Sequence, residues 1–448
     1  MKKRIIVGLV AVAAVAGGLP YVTGYVAESQ AKQSIADLNL QSQSRYGQIE
    51  IVKYERGYNA TYAEYKWVTN PELEQELPIG EIVISCDGVH NMLSYDYSCI
   101  LKNMGLQEEQ IRAAFKGKAP ITIEGTIGLT GDETSQVTIN PLEIITEQGA
   151  RITSDGGRMN STANASLSEI SGVGTFSPIT VLAASGVEVR ISESTFTLDG
   201  SMYEKKFFMG DSVFNVDDIT VVAPMLEAPL SVKGVSMVSN SDVNDGLYNG
   251  KGSLNVAEFT LPASLNNRTN KDVLVKNVTI GTSFADTPFA PIAKLTDYTQ
   301  KLAEQMSESG AVDPGMVGMD EQFLREQVLA LLKKDLAINL WVNSEVNDGA
   351  LKSHVNTVLT KDITEEFISE LETGGALAAL KLLQQVDLDI LVAIPNSVTE
   401  LSPEVAMMAA MSNKFVADAS GLTAALMLKE GAITLNGEPT SIEALMRN

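Results

Sequence analysis

Two histidines, His90 and His354, are the side chains of this chain best suited to proton transfer at neutral pH. Either could serve a Ser-His-Asp site, but no serine lies in the G-x-S-x-G turn that exposes a hydrolase nucleophile. A zinc site needs more histidine or cysteine ligands than the sequence contains. We therefore predict that both histidines are structural or exposed, and a hydrolase is the third functional hypothesis.

Nucleotide-binding motifs are also missing from the sequence. No Walker A loop occurs, and Gly172-Val173-Gly174 lacks the third glycine of a dinucleotide-binding turn. Acidic pairs such as Asp217-Asp218 are expected at the charge of this chain and do not by themselves indicate acid-base catalysis. These observations predict a protein that is not an enzyme and that needs no cofactor and no metal.

Three methionines, Met407, Met408 and Met411, lie in an apolar segment that ends at Phe415. Thioether sulfurs can bind copper(I), but methionine more commonly fills irregular apolar spaces. Because the segment 403–415 is apolar on nearly every side, it predicts a helix that is buried or lies in an apolar groove of a sheet.

A seven-residue motif occurs twice, at 240–246 and 343–349, with one Asp-to-Glu difference. Asn, Asp and Gly tolerate the positive φ angles of tight hairpins, so the motif predicts two equivalent hairpin turns. Alternating acidic and Asn side chains also resemble part of a calcium cage, but both copies lack the distal glutamate of an EF-hand loop. The predicted turn residues are Asn244, Asp245, Gly246, Asn347, Asp348 and Gly349.

Alternating apolar and polar residues dominate from Gly47 to about Ile280 and predict a large, mostly antiparallel sheet with one buried face. From Thr287 onwards the apolar period becomes helical, with Asp320 as an expected N-cap. The fold class is therefore α+β, with an N-terminal transmembrane helix, a β-sheet ectodomain and several C-terminal helices. The predicted regions are an anchor at 1–27, a β-rich region at 28–286 and a mixed helix and strand region at 287–448.

The N-terminal segment joins three positive charges to an uncharged run of 23 residues, Ile5–Ala27. A helix of roughly 20 apolar residues spans a bilayer, and preceding basic residues favour a cytoplasmic N-terminus. The segment therefore predicts a membrane anchor that leaves the bulk of the chain on the extracytoplasmic side. A cleaved signal peptide is the alternative, because Ala14-Val15-Ala16 and Val22-Thr23-Gly24 both fit the small-residue cleavage rule.

The charge of the chain restricts its partners. The formal net charge is −23, and removing the three positive charges at the N-terminus leaves −26. Such a surface is repelled by nucleic-acid phosphates and by anionic lipid headgroups. We therefore expect no nucleic-acid partner, and contact with the membrane through the anchor alone.

Cys86 and Cys99 are the two cysteines of the sequence. In an oxidising compartment such a pair predicts a disulfide, whereas two free buried thiols are the alternative. No C-x-x-C motif is present, so a redox function is disfavoured.

Four short motifs follow one another along the chain. They are Gly24-Tyr25 with Glu28, Tyr54-Glu55-Arg56-Gly57, Val243-Asn244-Asp245-Gly246, and Ile433-Thr434-Leu435-Asn436-Gly437 with Ser441-Ile442-Glu443. In this order they resemble the YdgA-like family of bacterial envelope proteins, a domain of unknown function. The resemblance implies a bacterial inner-membrane anchor, a periplasmic β-rich domain, no established enzymatic activity and self-association.

The amphipathic strands and the missing catalytic motifs favour a non-enzymatic binding module. In this hypothesis one apolar sheet face, partly covered by C-terminal helices, holds a hydrophobic ligand such as a lipid, or a partner protein. The alternative is a structural homo-oligomer that organises envelope complexes.

Overall fold

The computed structural model describes most of the chain. The described residues are 25, 28, 29, 32, 35, 39, 47–69, 82–104, 112–146, 148–204, 206–226, 228–265, 272–309, 320–370, 381 and 384–446. Among them, no helix has both the length and the apolar character needed to cross a membrane. The predicted anchor lies outside the described residues, except for Tyr25.

The described chain is mostly β, with antiparallel strands and several helices. It divides into two compact units, each made of segments that are separated in sequence. Unit 1 comprises the described residues of Met1–Ala184, Thr195–Phe208 and Asp297–Met319. Unit 2 comprises those of Ser185–Ser194, Met209–Thr296 and Asp320–Asn448. Both units therefore draw on residues from either side of position 287.

The first strands are short or of medium length. They are β1 (Gly47–Arg56), β2 (Ala60–Thr69), β3 (Ile82–His90), β4 (Ser94–Met104), β5 (Ile121–Gly128), β6 (Glu133–Ile139), β7 (Leu142–Ile145), β8 (Arg151–Ser154), β9 (Gly157–Ala163), β10 (Ile170–Phe176), β11 (Ile179–Leu182), β12 (Glu188–Ile191) and β13 (Ser194–Tyr203).

In unit 1, strands β1 to β6 form an antiparallel meander in which each strand pairs with the next. The meander then skips two strands, because β6 pairs with β9, which pairs with β10. Strands β7, β8 and β11 pair among themselves. Three of these pairs, β1 with β2, β3 with β4 and β5 with β6, are hairpins whose loops have three or four residues.

The later strands are longer. They are β14 (Phe207–Val222), β15 (Leu230–Asn244), β16 (Leu247–Leu261), β17 (Val273–Pro288), β18 (Ala337–Val346), β19 (Gly349–Leu359), β20 (Val386–Pro395), β21 (Val416–Ala417), β22 (Gly421–Lys429), β23 (Ala432–Leu435) and β24 (Glu438–Pro439). In unit 2, β14 to β20 form a continuous antiparallel meander, and β22 pairs with β20.

The helices whose bounds lie within the described residues include α1 (Phe289–Ser309), α2 (Glu321–Leu331), α3 (Asn396–Leu401), α4 (Pro403–Ser412) and α5 (Ile442–Met446). Asp320 caps α2, because its Oδ1 accepts the backbone N–H of Phe323 at 2.8 Å. Helix α4 begins with Pro403 and ends before Asn413, which adopts the left-handed conformation common at helix ends. The expected N-cap and the expected helix start are therefore observed.

The buried core of unit 2 lies near the Leu359 end of the sheet. Leu359 and Leu336 pack with Ile363 and Phe367, and Leu329 of α2 packs against this group. Leu359 and Val355 are four residues apart on β19, so they face the same side of the sheet. Helix α2 therefore covers part of one sheet face.

The sequence pattern predicts most of these elements. Strands follow one another from Gly47, α1 begins at Phe289 and α2 begins after Asp320, as expected. Strands β9 and β10 lack the regular apolar alternation of their neighbours, because they are rich in Ser, Thr, Asn and Gly.

Candidate functional site

Cys86 and Cys99 are direct neighbours on β3 and β4 and are joined by a disulfide, with their Cα atoms 3.9 Å apart. Both side chains are buried. Three partly buried tyrosines, Tyr54, Tyr65 and Tyr97, pack against them. The disulfide thus fixes the register of β3 against β4, and it lies on the buried face of this hairpin.

His90 is buried at the end of the same hairpin. Its Nδ1 donates to the carbonyl oxygen of Tyr58 at 3.3 Å, so in the neutral imidazole Nε2 accepts from the hydroxyl of Thr61 at 2.5 Å. Burial lowers the pKa of His90, the Tyr58 carbonyl opposes this shift, and the charge of Arg56 adds to it. Because Thr61 is also buried, this pair joins strands and does not present a nucleophile to solvent.

His354 lies on β19, and its Nε2 is 3.3 Å from Oδ2 of Asp389 on β20. Both side chains are partly exposed. Within the described part of the chain, no three or more His, Cys, Asp or Glu side chains are grouped so that they could hold a metal ion. The pair is an exposed contact between neighbouring strands.

Both copies of the repeated motif form two-residue hairpin turns, but not in the same register. In the first copy β15 ends at Asn244, and Asp245 and Gly246 have positive φ angles of 51° and 77°. In the second copy β18 ends one residue earlier in the motif, so the turn residues are Asn347 and Asp348, with φ angles of 47° and 65°. Gly349, the counterpart of Gly246, is the first residue of β19.

The methionines Met407, Met408 and Met411 lie on α4 and are 57%, 62% and 70% exposed. Ala409 is the buried residue of this helix, and Phe415, beyond its end, is half-buried. The expected burial of the methionine side chains in the sheet is therefore not observed. The helix is anchored by one small residue, which leaves the long side chains on its outer surface.

A different set of apolar residues forms a continuous row on the sheet of unit 2. The strand registers place one apolar residue from each of β14 to β18 directly opposite the next. The row consists of Phe214, Met237, Leu254, Ile280 and Val342. We call these five residues the apolar row.

The apolar face continues beyond the row. Leu340 is two residues from Val342 and therefore points to the same side of β18. It lies opposite Val355, which is followed by Ile390 and Leu426 on the next strands. Met237, Ile280 and Leu340 are 56%, 46% and 50% exposed. Contiguous exposed apolar side chains of this kind mark interaction sites.

The opposite face of the same strands carries a row of polar residues. The registers align residues that hydrogen-bond or carry charge, namely Asp211, Asn240, Lys251, Ser283 and Asn339. This polar row lies on the other side of the sheet from the apolar row, as expected for alternating strands. The sequence predicts that the sheet has an apolar face, but it does not predict the members of the apolar row. Strand register decides which residues lie opposite one another, and register is not visible in the local sequence.

By its fold, the chain is a mostly-β protein, and the antiparallel sheet of unit 2 exposes apolar side chains on one face. The chain belongs to a family of bacterial proteins whose model is described as "Bacterial protein of unknown function (DUF945)" and matches residues 1–443. No curated protein and no solved structure matches the chain.

Proposed function

We propose that this protein is a YdgA-like, inner-membrane-anchored periplasmic protein that binds an acyl chain of a lipid on the apolar face of unit 2. It acts as a binding module, without catalysis and without a cofactor. The observation that carries the proposal is the apolar row, in which Met237 and Ile280 are about half exposed although they lie in the middle of a sheet. Apolar side chains in such a position lose hydrophobic stabilisation unless something covers them.

The dimensions of the row suit an acyl chain. Five neighbouring strands at about 4.8 Å spacing give a row of roughly 19 Å. One leaflet of a bilayer is about 15 Å of hydrocarbon, half of the ~30 Å core. An extended acyl chain lying across the strands would therefore contact every member of the row.

The charge of the chain supports an anchored mode of action. A net charge of −23 opposes adhesion to anionic lipid surfaces. The uncharged segment Ile5–Ala27 would hold the protein at the membrane, and the apolar face would receive single lipid molecules. In the scaffold alternative, a second copy of the chain or a partner protein covers the same face.

Native mass spectrometry of the detergent-solubilised full-length protein tests the proposal. We expect a lipid mass adduct that survives release from the detergent micelle. Ile280→Asn and Leu340→Asn should each reduce the adduct several-fold, because each places an amide against hydrocarbon.

Val238→Asn is the matched control. Val238 is 37% exposed and follows Met237 on β15, so it lies on the opposite face. If the lipid adduct is equally abundant in the wild type and in all three variants, lipid binding at this face is contradicted. A stable oligomer without lipid, dissociated by Ile280→Asn, would favour the scaffold alternative.

A further inference from the structure

Unit 1 carries a shallow, elongated cavity of about 680 Å³ on the polar face of its meander. This volume is within the range of about 300–1,000 Å³ that is typical of small-ligand sites. The cavity crosses β3, β4, β5, β6 and β9. We call it the polar trough.

Two rows of side chains form the floor of the polar trough. In the first row, the registers of the five strands place each residue directly opposite the next. This row consists of Asp87, Ser98, Glu124, Gln136 and Asn160. Four strand spacings give it a length of roughly 19 Å.

The second row lies two residues along each strand and therefore on the same face. It consists of Val89, Asp96, Thr126, Thr134 and Thr162. Cys86 and Cys99 precede and follow members of the first row, so the disulfide lies directly behind the trough. It fixes the register that places Asp87 opposite Ser98.

The charged groups lie at one end of the trough. Its three carboxylates, those of Asp87, Asp96 and Glu124, are on β3, β4 and β5, and no Lys or Arg occurs among the described lining residues. Asp96 accepts hydrogen bonds from Asn91 and Thr126. The carboxylates of Asp87 and Glu124 make no hydrogen bond or ion pair with another side chain in the described part of the chain. This end therefore offers acceptors and repels anions.

The other end of the trough is neutral. On β6 and β9, Gln136 Nε2 donates to Asn160 Oδ1 at 2.8 Å. This bond leaves the carbonyl oxygen of Gln136 and the amino group of Asn160 available for other hydrogen bonds. Thr134 and Thr162 add hydroxyls that both donate and accept. This end therefore offers donors as well as acceptors.

We propose that the polar trough binds a linear, uncharged oligosaccharide across the five strands. A ligand that uses all the polar groups of both ends donates to the carboxylates and also accepts from the amino group of Asn160. Sugar hydroxyls do both, whereas an ammonium group only donates. The length of the trough favours an extended chain over a compact molecule. This site is independent of the lipid proposal, because it lies in unit 1.

Isothermal titration of the full-length protein in detergent with three uncharged linear tetrasaccharides, maltotetraose, cellotetraose and tetra-N-acetylchitotetraose, tests this proposal. We expect saturable binding of at least one of them. Glu124→Ala and Asn160→Ala, at the two ends of the trough, should each weaken that binding by about tenfold, through loss of a hydrogen-bonding group. Glu50→Ala, which removes an exposed carboxylate of β1 outside the trough, should leave binding unchanged.

Wild-type melting midpoints for the variants would show that the fold is retained. Absence of binding by all three tetrasaccharides overturns the proposal. The proposal is also overturned if Glu124→Ala and Asn160→Ala both bind the tetrasaccharide as tightly as the wild type does. Spermidine is the comparison ligand, and binding of spermidine without any tetrasaccharide would assign the trough to cations instead.

Discussion

Trp341 lies across Gly281, its direct neighbour on the adjacent strand, so that a Cβ atom at Gly281 would be 2.1 Å from Cζ2 of the indole. Glycine is therefore required for the ring to lie flat on β17. Tyr97 covers Gly125 in the same way in unit 1. Aromatic residues that cover a glycine on the next strand help to fix strand register.

Gly281→Ala should destabilise unit 2, because the indole of Trp341 must move away from the sheet. We expect a loss of about 1–3 kcal/mol in the free energy of unfolding and a shift in tryptophan emission. Gly252→Ala is the control, since a Cβ atom there meets nothing within 4 Å. Equal unfolding midpoints for the two variants, measured by denaturant titration, would contradict this packing.

The two hairpin turns should respond differently to substitution. Gly246 has a φ of 77° and open space around a Cβ atom, so Gly246→Ala should cost about 1–2 kcal/mol through backbone strain alone. Asp348 already carries a side chain at a positive φ of 65°. Asp348→Gly should therefore be neutral or slightly stabilising in thermal melting. A loss of stability in Asp348→Gly would contradict the register of the second turn.

Removal of the disulfide should destabilise the β3–β4 hairpin. For cysteines 13 positions apart, the double variant Cys86→Ala, Cys99→Ala should lose about 3 kcal/mol of unfolding free energy. Reductant should lower the melting temperature of the wild type and leave the double variant unchanged. Equal sensitivity of both proteins to reductant would show that the effect does not arise from this pair.

Burial of His90 predicts a pH dependence of stability. The pKa of His90 in the folded protein is lowered from its usual value of about 6.5. As the pH falls below about 6.5, the unfolded chain therefore takes up a proton at this histidine before the folded protein does. The contribution of His90 to the free energy of unfolding is fully present above about pH 6.5. It is lost as the pH falls through the pKa of His90 in the folded protein. Chemical unfolding at pH 7.5 and 5.5 should show a smaller pH effect for His90→Gln than for the wild type. His354→Gln, at an exposed histidine, is the control, and an equal reduction in both variants would contradict the assignment.

Much of the fold follows from local sequence pattern. Alternation identifies β1 and β2, the Asp320 cap marks the start of α2, and the Asn-Asp-Gly motifs mark two turns. The exact turn residues in the second copy depend on distant neighbours, because a Cβ atom at Gly349 would be 2.6 Å from Pro395 Cβ. The backbone N–H of Leu274 also donates to Asn347 Oδ1 at 2.9 Å.

Strands β9 and β10 show where local pattern is insufficient. Asn160 has little intrinsic preference for a strand, and Gly172 and Gly174 weaken β10 further. These segments are strands because β6 provides a complementary edge, with hydrogen bonds such as that between Ser135 and Ser161 at 2.7 Å. Tertiary pairing thus overrides local propensity.

The sequence alone determined a large antiparallel sheet followed by C-terminal helices, the pairing of its two cysteines as the expected disulfide, and an amphipathic sheet, because alternation and composition are local properties. That the described chain is mostly β follows from the structure. The predicted anchor also rests on sequence alone. Only the tertiary structure decided which residues lie opposite one another. Strand register aligned Met237 with Ile280 through Leu254, and Asp87 with Glu124 through Ser98. It also left Met407, Met408 and Met411 exposed, because packing partners come from distant parts of the chain.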